Sequence, residues 1–331
     1  MTLSRRAFTK LAAGSALAAP SLAAPFIARG ADMPMLTISE PLHGIGYLPL
    51  YAAISNGYFE QQGFKVRVLL TESGAGHTNA VLSGDAFGFI GGPEHNAYAY
   101  LKGAQLRSVV NIVNRSNNYL VTVPGAKFDP NDMAGSLRGK TLATAGLFGS
   151  TLNSTARYLC VHAGLKLPQD VRLLETSQAG SLAALKAGQA QLSMANEPLL
   201  TEGVEGGIWS QPVWSGPQAF GDYAYTAINV PKETIDKKHD QVAGFVKGMV
   251  KGLQFVLSRP PELNGIIKKE FPTMSDKAVK ATLDRYFADQ LWSPDGKITE
   301  AAWDKAEAVV IAAGLLKQKV DYKNVIDPEF T

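Results

Sequence analysis

Two stretches of this 331-residue chain follow one local order: short β-rich run, glycine-bearing polar loop, helix. In the first, residues 36–39 read as a strand, 47–56 as a helix and 64–70 as a second strand. Val66 and Val68 alternate with charged residues in that second strand. Residues 77–82 form a short helix, 87–90 a third strand, and 94–102 a helix that Gly103 stops. A β-rich stretch at 106–113 and 119–123 follows, broken by Asn114-Arg115-Ser116-Asn117-Asn118. The order then recurs: strand 138–144, helix 151–163, strand 171–174, helix 178–187, strand 191–195. A helix between two strands brings the chain back to the same end of a sheet. The alternation therefore predicts an α/β protein with parallel strands covered by helices. Two such sets predict two lobes. The polar break at 114–118 reads as a hairpin or a crossing between lobes, and the β-like run 223–230 as the way back.

The last third is helical. Val242, Phe245, Val246, Met249, Val250, Leu253 and Val256 give residues 241–257 one apolar face. Ser275 and Thr299 stand where two further helices need N-caps.

Ligands of parallel α/β sheets bind beyond the carboxyl ends of the strands, where helix N-termini present backbone N–H groups. Four loops lie there. They contain His43 and Gly44, then Ser73, Gly74 and Gly76, then Gly92 and Glu94, and finally Phe148, Gly149, Ser150 and Thr151. Glycine lets a backbone approach a ligand closely. Glu197, after the strand at 191–195, either faces the same cleft or caps the next helix. Glu40, Glu72, Glu94 and Glu197 put four carboxylates near it, and Phe148, Tyr47 and Tyr119 offer rings for stacking.

Signals for catalysis are weak. The histidines at 43, 77, 95, 162 and 239 show no metalloprotease spacing, and the chain has no phosphate-binding lysine loop. Gly149-Ser150-Thr151 is not a nucleophile elbow. Cys160, the single cysteine, sits in a helical run and reads as a core thiol; one cysteine makes no intrachain disulfide. No catalytic residue, metal or cofactor is expected.

Ser4-Arg5-Arg6-Ala7-Phe8-Thr9-Lys10 matches the twin-arginine export signal, and a weakly apolar Ala/Gly-rich stretch follows. Residues 1–31 therefore read as a signal peptide that engages the twin-arginine translocase and directs the chain to the periplasm. These residues hold Arg5, Arg6, Lys10 and Arg29 and no acid, so the rest carries 28 basic against 29 acidic residues, a formal charge of −1. That balance gives no reason to expect nucleic acid or an anionic membrane as partner.

The segment Pro49-Leu50-Tyr51-Ala52-Ala53-Ile54-Ser55-Asn56-Gly57-Tyr58-Phe59-Glu60-Gln61-Gln62-Gly63-Phe64-Lys65-Val66 resembles a motif of the NMT1/THI5-like family. Ala80-Val81-Leu82-Ser83-Gly84-Asp85-Ala86-Phe87-Gly88 is similar to a second motif, one residue shorter. Leu137-Arg138-Gly139-Lys140-Thr141-Leu142-Ala143 and Ala184-Leu185-Lys186-Ala187-Gly188-Gln189 match further ones in order. The resemblance implies a type II periplasmic-binding-protein fold, with two α/β lobes, two crossover segments and a helical C-terminal region. It divides the chain into a signal at 1–31, lobe 1 at 32–113, lobe 2 at 114–226, and a return to lobe 1 at 227–331.

It also implies the substrate-binding component of an ABC importer that hands a small molecule to an inner-membrane permease. A sulfonate-, taurine- or nitrate-like anion is the favoured ligand, and a heteroaromatic thiamine-pyrimidine or riboflavin-like molecule the alternative. The resemblance carries the site onto the twelve loop residues named above: His43, Gly44, Ser73, Gly74, Gly76, Gly92, Glu94, Phe148, Gly149, Ser150, Thr151 and Glu197. An enzyme of the superfamily carries a cysteine cluster that this chain lacks. An exported enzyme and an extracytoplasmic interaction module are the rival classes.

Overall fold

The computed structural model describes residues 33–71, 75–145 and 150–330. The stretch 1–31, read from sequence as an export signal, lies outside them, as do Glu72, Ser73, Gly74, Phe148 and Gly149. Among the described residues no helix is long and apolar enough to cross a membrane.

Among the described residues ten strands form two five-stranded sheets. The first holds β1 (Met35–Glu40), β2 (Lys65–Leu70), β3 (Gly88–Gly91), β4 (Leu106–Val113) and β10 (Thr226–Pro231) in the order β2-β1-β3-β10-β4. The second holds β5 (Tyr119–Thr122), β6 (Thr141–Ala145), β7 (Arg172–Thr176), β8 (Leu192–Ala195) and β9 (Trp214–Ser215) in the order β7-β6-β8-β5-β9. The helix-connected strands pair in parallel, β1 with β2 and β3, and β6 with β7 and β8. Strands β10 and β5 run antiparallel to their neighbours because each belongs to a crossing rather than to a βα unit.

Lobe 1 is held by the helix His239–Ser258, whose face of Val242, Phe245, Met249, Leu253 and Val256 is fully buried. Small residues on the same side set its closest contacts. A Cβ on Gly248 would stand 2.6 Å from the Phe59 ring, and one on Gly252 2.2 Å from the Pro49 carbonyl oxygen. The glycines let this helix lie directly on the helix Leu48–Ser55, and Phe59 stacks on Phe245 at 4.8 Å. The Gly57-Tyr58-Phe59 motif is thus a packing device, and no part of it lines the cleft described below.

Lobe 2 packs both faces of its sheet. Leu142, Leu152, Ala156, Cys160 and Met194 fill one side; Tyr119, Val121, Leu185, Leu200 and Trp209 fill the other. Burial pushes the Cys160 thiol up to about 12, as expected of an inert core residue.

The chain crosses between sheets twice, through 114–118 and through the segment from the helix Gly216–Phe220 to β10. The crossings lie side by side: Arg115 forms an ion pair with Asp222, and the Tyr223 N–H donates to the Asn114 carbonyl at 3.1 Å. Residues 223–225 read as strand in the sequence but belong to this crossing. The N–H groups of Tyr223 and Ala224 go to the carbonyls of Asn114 and Ala302, and only that of Tyr225 reaches the sheet neighbour β4, at Val113. The C-terminal region touches both lobes. Arg285 and Thr282 on the helix Asp276–Ala288 donate to Glu197 of lobe 2, while Trp292 Nε1 donates to the Gly46 carbonyl of lobe 1 at 3.0 Å. Ser275 and Thr299 do cap their helices, accepting from the N–H groups of Ala278 and Ala302.

Candidate functional site

A cavity of about 160 Å³ lies between the lobes. Its walls come from the carboxyl ends of strands in both sheets, where the open end of each βα unit faces the other lobe. Pro41, Leu42 and Gly44 follow β1; Gly91 and Gly92 end β3; Ser150 and Thr151 start the helix Thr151–His162; Asn196 and Glu197 follow β8. Asn117 and Tyr225 arrive from the two crossings, and Tyr286 from the C-terminal helix. A larger hollow of about 860 Å³, lined by Met35, Thr37, Phe87 and Leu106 among others, sits at the amino-terminal ends of the strands. The short helix Lys232–Lys237, which follows the antiparallel β10, begins at its rim, and the helices of the parallel βα units begin at the opposite end of the sheet.

The polar groups are tied across the lobes. The Tyr225 hydroxyl donates to Asn118 Oδ1 at 2.9 Å and lies 3.0 Å from Thr151 Oγ1. Asn118 Nδ2 donates to Thr155 Oγ1 at 2.7 Å. Asn117 Nδ2 donates to the Tyr286 hydroxyl at 2.9 Å. Desolvation holds the phenols of Tyr47, Tyr225 and Tyr286 above their ordinary value, so all three remain neutral hydroxyls. Desolvation, aided by neighbouring His77, lowers His95 to about 3, leaving it neutral.

The structure sorts the residues expected from sequence. Gly44, Gly92, Ser150, Thr151 and Glu197 line the cavity. His43 is not among the lining residues. Its Nδ1 lies 3.0 Å from Glu40 Oε1, its Nε2 3.2 Å from the Glu270 carbonyl oxygen, and its ring 4.6 Å from that of Tyr51. Gly76 opens a helix but is not a lining residue either; the next residue, His77, is.

Glu197 contributes to the wall, yet its carboxylate is committed. It accepts from the Thr201 N–H at 3.0 Å, Thr201 Oγ1 at 2.9 Å, Thr282 Oγ1 at 3.3 Å and Arg285 Nε at 2.7 Å. Tyr119, a stacking candidate by sequence, is instead a core residue of lobe 2 whose hydroxyl donates to Asp289 at 2.6 Å. Ser73, Gly74, Phe148 and Gly149 lie outside the described residues.

Glu94 is buried one layer behind the wall. Its carboxylate folds back over Gly92, so that a Cβ there would stand 2.0 Å from Glu94 Oε2. Loss of water raises this carboxyl to about 7.

Asn117, Tyr225 and Tyr286 were not singled out from the sequence as ligand contacts. Asn117 stands in the polar break read as a crossing, and a polar run that changes lobes must pass the cleft. Tyr286 was legible only as one residue of an apolar helix face.

Two five-stranded α/β sheets joined by two crossings and closed around a cleft define the type II periplasmic-binding-protein fold. The chain belongs to the NMT1/THI5-like family, whose model matches residues 45–263. YtlA of Bacillus subtilis strain 168 is 23% identical over 296 residues, 88% of this chain and 87% of that protein. The ligand-binding component of an ABC-type import system from Staphylococcus aureus superposes with a TM-score of 0.70 at 17% identity, covering 90% of this chain and 97% of that one. The periplasmic aliphatic sulphonate-binding protein SsuA of Escherichia coli superposes with a TM-score of 0.71 at 16% identity, covering 88% and 97%. At such identities the likeness to solved structures establishes the shared fold.

Proposed function

We propose that this protein is the non-enzymatic, substrate-binding component of an ABC importer. It is exported to the periplasm by the twin-arginine route, captures a small organic solute between its lobes and delivers it to an inner-membrane permease. One observation carries the reading: the cavity is walled by strand ends from both sheets and by both crossings. A bound molecule therefore touches both lobes at once, and only in the closed arrangement. The Staphylococcus and Escherichia proteins support the same reading through their shared fold.

The sulfonate-, taurine- or nitrate-like anion favoured from sequence would meet hydroxyls and the N-terminus of the helix Thr151–His162. No lysine or arginine appears among the described lining residues. The heteroaromatic alternative is favoured by the rings of Tyr47, Tyr225 and Tyr286 in the wall.

The test is hydrogen exchange on protein carrying its co-purified solute, compared with protein stripped by unfolding and refolding. Solute should protect the loop after β1, the start of the helix Thr151–His162 and the crossing at 114–118 together. Protection confined to one lobe, or turnover of the solute, would refute a receptor.

A further inference from the structure

The residues just after the helix Asp276–Ala288 run beside the first crossing as a further strand would. The Asn114 N–H donates to the Leu291 carbonyl at 2.7 Å, Val113 forms an antiparallel bridge with Trp292, and Arg115 Nη2 donates to Gln290 Oε1 at 3.4 Å. On either side of this contact the chain serves different lobes. Beyond it, residues 291–296 follow β4 of lobe 1. The Ser293 N–H donates to the Ile112 carbonyl at 3.0 Å, and the Gly296 carbonyl accepts from the Asn111 N–H at 2.7 Å. Before it, the chain is tied to lobe 2. Asp289 accepts from the Tyr119 hydroxyl, Lys277 pairs with Glu205 at 3.2 Å, and Arg285 and Thr282 hold the fully buried Glu197. The lobe 2 helix Leu199–Glu205 is the element that the backbone of Asp276–Ala288 approaches most.

This helix lies in the stretch that the sequence assigns to lobe 1, and it does touch that lobe. The Arg259 guanidinium stands over the Phe287 ring at 3.6 Å, and Tyr286 meets Trp292 edge-on at 5.5 Å. A crease of about 660 Å³ nevertheless opens between the two. Arg259, Pro260 and Leu263 line one side of it, and Val279, Leu283 and Phe287 the other. The two sets of contacts differ in kind. Apolar and ring contacts are weakly directional and let packed helices slide. A buried carboxylate cannot part from its guanidinium without a desolvated charge losing its counter-ion.

Resting on the receptor reading above, we infer that the chain changes lobe a third time, at Gln290, and that the helix Asp276–Ala288 travels with lobe 2 when the cleft opens. Gln290 is the joint. It follows the C-cap of the helix in the left-handed conformation (φ 51°) that usually falls to glycine, and its N–H donates to the Phe287 carbonyl at 3.2 Å. The chain therefore turns out of the helix and into line with β4 at that one residue. Two of the cavity's lining residues, Tyr286 and Glu197, then move together against Gly44 and Gly92 of lobe 1. The crease changes width as the lobes rotate.

The experiment measures distances between spin labels by pulsed electron resonance on the full chain, stripped of solute by unfolding and refolding. Labels replace the exposed Lys102 of lobe 1, Lys166 and Lys186 of lobe 2, and Lys280 of the helix, two at a time, as lysine-to-cysteine changes. Cys160 is buried and stays unlabelled. The pair 102–186 reads the lobes against each other, and 166–186 is a rigid reference within lobe 2. The pair 186–280 should be as narrow as the reference, and 102–280 as broad as 102–186. Gln290→Gly keeps the helix end in a conformation glycine favours, so the variant folds. It should broaden 102–280 and leave 186–280 unchanged.

A broad 186–280 distribution, with 102–280 narrow or broad, overturns the assignment while the moving lobes leave the receptor reading standing. A Gln290→Gly variant with unaltered distributions also overturns it, because the joint then lies elsewhere. Narrow distributions for every pair mean that the lobes do not move, and remove both readings.

Discussion

Replacing Arg285 with Met tests whether Glu197 is a structural anchor or a ligand group. The Glu197 side chain is fully buried and that of Arg285 is 23% exposed. Met keeps most of the apolar stem and removes the guanidinium, whose central carbon lies 5.7 Å from the Tyr119 ring centroid, so the change removes the charge and its contact with that ring. Afterwards Glu197 keeps three neutral donors: the Thr201 N–H and the hydroxyls of Thr201 and Thr282. Breaking a buried pair from one side typically costs about 3–5 kcal/mol, because the orphaned charge stays desolvated. The three surviving donors and the partial exposure of Arg285 place this case near the lower end, about 3 kcal/mol.

Glu197→Gln in the same background removes the orphan, and should recover about 2 kcal/mol as coupling in a double-mutant cycle. The assay is equilibrium urea unfolding followed by tryptophan fluorescence and by far-ultraviolet circular dichroism. Both probes are needed because a two-lobed chain can unfold in stages. Amide exchange in the helix Asp276–Ala288 should quicken in the single variant, since Arg285 and Asp289 attach its end to lobe 2. A loss below about 0.5 kcal/mol with additive single effects would refute the anchor and return Glu197 to the ligand set.

Three further outcomes follow from the same structure. Gly252→Ala should destabilise by about 2 kcal/mol in urea unfolding. The new methyl meets the Pro49 carbonyl oxygen at 2.2 Å, and that clash outweighs the helix-propensity gain of about 1 kcal/mol; unchanged or raised stability would show that the helices part freely. Cys160 should resist thiol reagents at mildly alkaline pH until the protein unfolds, its thiol being buried and raised to about 12, and fast labelling of native protein would contradict this.

The pH dependence has opposed parts. Glu94, raised from 4.5 to about 7, contributes stability that is present below the unfolded value and lost as pH rises through 7. His95, lowered from 6.5 to about 3, contributes stability that is present above 6.5 and lost as pH falls through 3. The unfolding free energy of solute-free wild type minus that of Glu94→Gln should therefore fall by about 3 kcal/mol from pH 4.5 to 7, and a flat difference would contradict the burial argument.

The alternation of strand and helix was legible because it is a local property. Apolar periodicity, caps such as Ser275 and Thr299, and stops such as Gly103 act within a few residues of themselves. The elements with no local signal, such as the two-residue β9 and the helix Gly216–Phe220, are short. They exist because tertiary neighbours fix them. The loops of the cleft were legible for a topological reason, since a βα unit fixes which strand ends face outward. That sufficed to name Gly44, Gly92, Ser150 and Thr151, all of which line the cavity.

What the loop positions did not carry is where each side chain goes. His43 and Glu94 sit in the right loops, but His43 turns to Glu40 and Glu270, and Glu94 folds behind Gly92. Glu197 reaches the wall only to be claimed by Arg285, 88 residues away in sequence. Asn117, Tyr225 and Tyr286 meet at one cavity from three separate parts of the chain. The sequence by itself determined the units, their order and the end of the sheets at which a ligand must sit, because backbone hydrogen bonding and chain direction are local. Only the tertiary structure decided which carboxylate is neutralised and which is left unpaired, because burial and partnership depend on residues distant in the chain.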